Sequence, residues 1–494
     1  MTAHSDLYTT RNGQAVALNQ IPRHDLESFQ HIVRQAINAG QRVASFFGTQ
    51  RDDGIDLMMV LADDAENQLN LLSTRVDGKS FPSMTPDCNS LHLFEREIFE
   101  QFGVRPEGHP WLKPVRYPDA DTLLGGGDFY KIDGDEIHEV AVGPIHAGII
   151  EPGHFRFQCH GEHIYHLEIA LGYQHRGIEK ALVSQPAKRQ LHYAENIAGD
   201  TAIGHTTAYC QLIEALSGCT KTVRSQSLRG IALEFERLAN HIGDIGALSG
   251  DIGFLPTASY CGRIRGDFLN MTAVLCGSRF GRGLLRPGGV EYDLTDDQVA
   301  DLQKRLDLGE ADATNAIELF FNAPSVLARL DGKGVLSADT CKKLGVVGVA
   351  ARAAGLPRDV RHSQPSGIYR FVQLPLSTWD SCDAFSRAYV RWLEIKHSIA
   401  FIREQLNALP SGDIQAPTGP LQPDHLAVSL IEGWRGELCH VALTDGTGAL
   451  CRYKIVDPSF HNWMGMAVAL RDVEISDFPL CNKSFSLSYC GHDL

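Results

Sequence analysis

Two short runs concentrate the residues able to move protons or grip a polar substrate. VGPIHAGIIEPGHFRF carries Glu151 and His154, and the following GEHIYHLEIALGYQHRGIEK carries Arg176 beside Glu179. Histidine titrates near neutral pH and a carboxylate can trade protons with it, so the two types together suit general acid and base chemistry. Each has a plainer reading as well. His154 follows Pro152-Gly153 in an expected turn where a histidine is often structural, and Arg176 could brace Glu179 or another carboxylate. Asp457, before Pro458 in RYKIVDPSFHNW, could simply start a turn. Glu234, Arg237, His241 and Asp244 recur at steps of three and four, which on a helix makes one polar stripe. A solvated or helix-packing face is its ordinary reading and a relay the sharper one.

Metal chemistry finds little to build on. The twelve cysteines are scattered, no two spaced as CxxC, whereas zinc, iron-sulfur and nickel-iron centres draw thiolates in close pairs. In a protein of this class they read as reduced, small apolar core residues. The glycines of LLRPGGV and of the 125–127 run match neither the strand-bounded Gly-x-Gly-x-x-Gly turn nor a phosphate-cradling loop, so no NAD or ATP site is expected.

The elements that must position these residues divide the chain in two. With 494 residues and 43% hydrophobic content, the chain can bury the cores of two or three domains. Residues 1–118 read as a small α/β domain: LESFQHIVRQAINAGQRVASFFG has helical apolar spacing, DLMMVLAD and LNLLSTRV look like neighbouring strands, and SLHLFEREIFEQFG returns to helix. Residues 119–136, with three successive glycines and several carboxylates, read as a linker. From 137 to 494 the pattern is mainly helical. In LRGIALEFERLANHIGDIGALSG, Ile231, Phe235, Leu238, Ile242 and Ile245 form one apolar stripe; TAYCQLIEAL and DSCDAFSRAYVRWLEIKHSIAFIREQL read as further helices. GELCHVALTDGTGALCRYKIVDP breaks the habit with a hairpin around Asp445-Gly446. The fold class is α+β.

Forty-five basic against sixty acidic residues leave a net charge of -15, which disfavours nucleic acid and anionic bilayers as direct partners. The opening MTAHSDLYTTRNGQ has no signal-peptide pattern and no run is long and apolar enough to span a bilayer, so the expected location is cytoplasmic, with membrane contact through other proteins.

Three segments carry a family resemblance. FEREIFEQFGVRPEGHPWLKPVRYP resembles the end of the thirty-kilodalton subunit of respiratory complex I. The Glu151 and Arg176 runs are similar to the forty-nine-kilodalton subunit of complex I and to the large subunit of energy-converting nickel-iron hydrogenases, and RYKIVDPSFHNW with ISDFPLCNKSFSLSYCGHDL resembles the carboxyl end of that large subunit. With LEFERLANHIGDIG, CGSRFGRGLLRPGGV and GELCHVAL between them, the likeness runs colinearly over nearly the whole chain. The fused order is that of formate hydrogenlyase and hydrogenase-4 large subunits.

The resemblance also defines a departure. Active hydrogenases of the family hold nickel and iron with two CxxC pairs, because soft thiolates suit those ions. By the register of AENIAGDTAIGHTTAY the first pair falls on Ala198 and Thr201, and the second falls on Ser488 and Gly491; Cys490 is one step out of register. The relatives' clipped tail has no counterpart after Gly491. The expectation is therefore no metal and no cofactor held by this chain. The resemblance implies an iron-sulfur cluster in a partner small subunit, antiporter-like membrane subunits beyond it, and a quinone cavity. His154 matches the complex I histidine, Gly199 stands where a tyrosine would, and His205 lies nearby; Glu151 resembles the hydrogenase carboxylate that passes protons. Three functions remain in view: an electron-transfer subunit active only within its complex and peripheral on the inner membrane face, a non-redox scaffold, and an active hydrogenase.

Overall fold

The computed structural model describes residues 6–51, 54–117, 128–148 and 150–494. The three glycines of the expected linker lie outside these. Residues 128–136 pack back onto the strands that follow: Tyr130 N donates to Glu168 at 2.8 Å, and the Phe129 ring stands under the Arg156 guanidinium.

Near the amino terminus, strands Arg42–Arg51, Gly54–Asp63 and Gln68–Val76 pair antiparallel, their buried faces rich in Phe, Met, Leu and Val. Helices Leu26–Asn38 and His92–Phe102 cover the sheet. The helical spacing read through residue 48 overruns. The helix stops at Asn38, Gly40 turns the chain at φ +99°, and the β-preferring, buried Val43, Phe46 and Phe47 lie in the strand from Arg42. Local apolar spacing satisfies both periods, and pairing with Gly54–Asp63 decides between them.

The second part opens on a three-stranded antiparallel sheet with His154–His160 between Ile137–Val142 and His163–Ala170. A bundle of long helices follows, chiefly Ala202–Ser217, Val223–Asp251, Leu255–Cys276, Asp296–Phe321 and Ala384–Asn407. The expected hairpin forms as Glu437–Thr444 and Leu450–Val456, with His425–Glu432 beside it. The free edge of His425–Glu432 is taken by Ala15–Ala17, a strand from the opposite end of the sequence. Arg42 adds a bidentate pair to Glu437 at 3.1 and 2.7 Å, and one apolar core mixes Phe46, Leu57 and Leu71 with Leu426, Val441 and Val456. The two parts share a sheet and a core.

The apolar stripe of Val223–Asp251 is fully buried, as its spacing predicts. Its polar neighbour is buried too, so of the two ordinary readings of that stripe the helix-packing face holds and the solvated one does not. Glu234 accepts from Arg237 (3.0 Å), Tyr369 (2.7 Å) and Ser398 (2.6 Å), and His241 meets Glu394 at 2.7 Å. Arg352 joins Glu394 to Glu432 at 2.6 Å each, while Arg361 pairs with Asp359 and Glu234. Burial lowers His241 to about 4, so it is neutral; burial also raises Glu432 to about 7. Four carboxylates (Glu234, Asp359, Glu394, Glu432) thus face three guanidinium groups (Arg237, Arg352, Arg361), and Glu432 is the one poised to hold a proton.

Removing one partner from such a cluster leaves an uncompensated buried charge, which costs about 3–5 kcal/mol. Arg352→Met should lower the urea-unfolding stability of the purified chain by that order. Arg403→Ala, which breaks half-exposed pairs to Asp307 and Glu310, should cost under about 1 kcal/mol. Equal losses from the two would contradict this account.

Candidate functional site

Two stretches of backbone converge beneath the first three-stranded sheet: residues 196–201, leading into the Ala202–Ser217 helix, and residues 486–494, which hold the short helix Tyr489–Asp493. Arg176 ties them on one side, donating to the carbonyls of Asn196 (2.6 Å), Ile197 (2.8 Å) and Cys490 (3.0 Å). This differs from the expected brace to Glu179, which is taken by Arg452 and Lys454 instead. Arg435 ties the other side. Its guanidinium makes two 2.7 Å bonds to Asp200, one to the Ser486 carbonyl at 2.6 Å, and stacks 3.9 Å over Trp434.

Asp457 lies in the floor between them. It caps the Pro458–Ala469 helix by accepting from Ser459 N at 2.8 Å, so the turn-starting reading holds, and its other oxygen accepts from His205 at 3.3 Å. Burial alone would raise this carboxyl. The hydrogen bond and charge of His205, with Arg435 beyond, outweigh it and keep Asp457 below the usual carboxylate range, hence ionised. Ser488 accepts from Gly491 N at 2.9 Å and lies 3.4 Å from the Cys490 sulfur. Glu151 reaches down from the loop and accepts from the Cys490 and Tyr489 amides at 3.2 and 3.4 Å. Burial and the neighbouring Glu151 push the Cys490 thiol up to about 12, so it stays protonated.

Glu151, Arg176, Asp457 and His205 are therefore brought to one clasp. Gly199 lies at its exposed rim, with open space where a β-carbon would project. His154 makes its contacts elsewhere: it begins a strand instead of sitting in a turn, its ring bonded to the Gly143 carbonyl (3.2 Å) and to Arg156 (3.3 Å) and 5.3 Å from Phe129.

The four positions set against hydrogenase thiolates can be tested for space. Ala198 is fully buried, Thr201 bonds to Trp434 and Asp200, and Ser488 caps the last helix. At Gly491 a β-carbon would stand 2.5 Å from the Asp457 carboxylate. None of these four side chains is a thiol, and at Gly491 the Asp457 carboxylate occupies the space into which a side chain would project.

Comparison with known proteins agrees with this layout. The profile of the respiratory-chain NADH dehydrogenase 49 Kd subunit matches residues 251–423, and that of the 30 Kd subunit matches residues 19–122. A carbon monoxide-induced hydrogenase of Rhodospirillum rubrum is 32% identical over 70% of this chain and 96% of its own. The chain belongs to this family of hydrogenase large subunits and their complex I counterparts, with a domain of the smaller complex I subunit fused in front. Formate hydrogenlyase subunit 5 of Escherichia coli K12 is 28% identical over 84% of this chain and 77% of its own. An NADH-quinone oxidoreductase subunit of Solibacter usitatus is 30% identical over 64% of this chain and 86% of its own. In fold, a chain of the archaeal membrane-bound sulfane sulfur reductase superposes with a TM-score of 0.69 at 22% identity, over 74% of this chain and all of its own. No helix among the described residues is long and apolar enough to cross a membrane.

Some functional residues of this hydrogenase-type large subunit escape sequence reasoning. Arg435 and Trp434 sit in a short turn between strands, and His440 in a β-run, so neither spacing nor motif singles them out. Nor does any pattern mark Glu236, beside the apolar stripe. It is buried and accepts from Ile203 N (2.7 Å) and Gly204 N (3.1 Å) at the foot of the site. Burial, and then the charge of Asp200, nevertheless push its carboxyl from 4.5 up to about 8. Between those values the folded chain holds a proton that the unfolded chain has released, so stability falls as pH rises through that window. The urea midpoint of the wild type should decline more steeply from about pH 5 to 8 than that of Glu236→Gln. Parallel profiles would count against a protonated Glu236.

Proposed function

We propose that this chain is the large, hydrogenase-type subunit of a membrane-associated, complex I-like respiratory assembly, and that it passes electrons to a small reducible acceptor without a nickel-iron centre. It docks, in this reading, onto a small subunit carrying an iron-sulfur cluster, on the cytoplasmic face of the membrane beside antiporter-like subunits. The acceptor is of the quinone class and is received near Glu151 and Gly199, at the rim of the clasp. The observation that carries the reading is the ionised Asp457 carboxylate packed against Gly491, with His205 behind it. The carboxylate is a proton acceptor at rest, and a proton taken up from the His205 side can be handed on to a reduced oxygen, the general acid step that such chemistry requires. The same carboxylate closes the space that a second thiolate pair would need.

A scaffold role has support of its own. Arg176 commits its guanidinium to backbone carbonyls and Ala198 is sealed from solvent, as in a packed floor. The readings part on measurement. The purified complex should contain no stoichiometric nickel, bind a quinone analogue, and lose most of that affinity, about tenfold or more, in Glu151→Ala. Nickel at one per complex would overturn the metal-free reading; an intact complex that binds no analogue and transfers no electrons would leave the scaffold.

A further inference from the structure

The chain carries a net charge of -15, yet two segments beside the clasp present only basic groups to solvent. Residues 176–192 hold Arg176, Lys180, Lys188, Arg189 and His192, and their one acid, Glu179, is buried. Residues 277–290 hold Arg279, Arg282 and Arg286 and no acid. Both segments wrap residues 195–200. Arg176 holds the Asn196 and Ile197 carbonyls, Gly283 N donates to Glu195 at 2.6 Å, and Arg279 lines a small hollow together with Asp200. His192 pairs with Glu195 at 3.3 Å and Arg286 with Glu291 at 3.2 Å; among the described residues Lys188, Arg279 and Arg282 make no ion pair.

Lys188, His192 and Arg286 line one groove of about 730 Å³. Its floor is apolar. Leu191 belongs to the main helical core, Ile213, Leu421 and Leu450 pack half-buried against that core, and the Tyr209 hydroxyl is taken by Gln190 at 3.0 Å. The 418–421 loop and the hairpin turn close one side: at Gly448, where φ is +84°, a β-carbon would stand 2.5 Å from the Leu421 carbonyl. Among the described residues no carboxylate lines the groove. A larger cleft of about 1340 Å³ lies between the amino-terminal sheet and the carboxyl-terminal one, and its buried charges answer each other, Lys454 bonding Glu97 and Glu179 while Arg116 bonds Glu97. That cleft asks nothing of a ligand. The groove leaves an apolar floor to water under a rim short of anions, and both are features of a surface that is covered in use.

We infer that this groove receives an extended segment of the neighbouring small subunit, one whose apolar side chains are flanked by aspartate or glutamate. The apolar side chains cover Leu191, Ile213, Leu421 and Leu450, and the carboxylates meet Lys188 and Arg286. The floor then supplies affinity, while the charged rim steers encounter and rejects basic partners. A volume of about 730 Å³ falls in the range, roughly 300–1,000 Å³, of clefts that enclose a ligand. An anionic bilayer is the rival source of negative charge. A net charge of -15 repels it, and a groove set between the helix Ala187–Ala194 and the 418–421 loop offers a flat layer of headgroups few contacts. That the neighbour is the cluster-bearing subunit rests on the function proposed above; the preference for an acidic, apolar segment does not.

Photo-crosslinking in the intact, purified complex tests it. Ala449 is exposed on the groove edge, and Ala449→benzoylphenylalanine should crosslink to an acidic, apolar segment of the cluster-bearing subunit. Lys188→Glu with Arg286→Glu should abolish that crosslink and weaken retention of the small subunit about tenfold or more, because like charges are then opposed across the interface. Lys304→Glu with Lys342→Glu, the same change of charge outside the two segments, should leave both unaltered. If Arg286→Glu lowers the urea midpoint, the exposed Lys188→Glu alone carries the comparison. A crosslink to lipid alone, to a basic segment or to nothing, or full retention of the small subunit after charge reversal, overturns the proposal. A crosslink to an acidic, apolar segment of a subunit without a cluster upholds the chemistry of the groove and overturns the partner named for it. Failure of the redox reading shows instead as stoichiometric nickel or absent quinone-analogue binding, neither of which the crosslink reads.

Discussion

Burying charge in the middle of a helix bundle is the constraint that organises this molecule. Val223–Asp251 presents an apolar stripe and, one residue behind it, Glu234, Arg237, His241 and Asp244, all inside. An isolated buried ion is prohibitively costly, so each must be met from another element. Arg352, Arg361, Glu394 and Glu432 do this from four separate segments, and Arg237 also takes the carbonyls of Glu432 and Gly433 at 2.7 and 3.0 Å. Apolar packing would tolerate many small shifts of these helices. Paired guanidinium and carboxylate groups tolerate few, because each bond depends on distance and angle.

That rigidity reaches the clasp directly. Asp244, the last member of the stripe, pairs with Arg391 (3.1 Å) and Lys483 (2.9 Å) and accepts from Ser486 (2.8 Å). Ser486 is also the residue whose carbonyl Arg435 holds, so the stretch that carries Ser488, Cys490 and Gly491 is anchored to the central helix on one side and to Asp200 on the other. The same logic joins the two fused parts. Ala15–Ala17 completes the carboxyl-terminal sheet and Arg42 meets Glu437 in its strand, so the cleft between them has walls that are fixed to each other.

Much of this is legible in the sequence, for reasons that differ by element. The apolar stripe of residues 231–245 and the hairpin at Asp445 are local patterns, and both appear where the periodicity places them. The helical reading through residue 48 fails past Asn38 because helical and strand spacing coincide over VASFF, and only a neighbouring strand can choose. The polar stripe is legible as a stripe but not as buried, since its partners lie 127 to 157 residues away in the chain at Arg361 and Glu394. Arg176 stands out while its partners do not, because backbone carbonyls leave no mark on side-chain identity. His440 and Tyr453 are two alternating residues in β-runs, and nothing short of the sheet register shows them facing the His205 helix.

The form of the clasp follows from what a buried site must do when it offers no thiolates. Two converging backbone segments with unpaired amides and an uncovered cavity would be unstable, so the site is closed by its own polar groups. Asp457 takes the volume beside Gly491, Ser488 accepts from the Gly491 amide, and Glu151 takes the Cys490 and Tyr489 amides. Closing it with a carboxylate brings a charge inside, which in turn needs a cation within reach and a donor in contact. Arg435 supplies the first, already bonded to Asp200, and His205 the second. A histidine that donates to Asp457 must have its other nitrogen satisfied, which His440 does, and His440 in turn needs Tyr453. Each polar residue from Asp457 to Tyr453 is thus required by the one before it, beginning from a single buried acid.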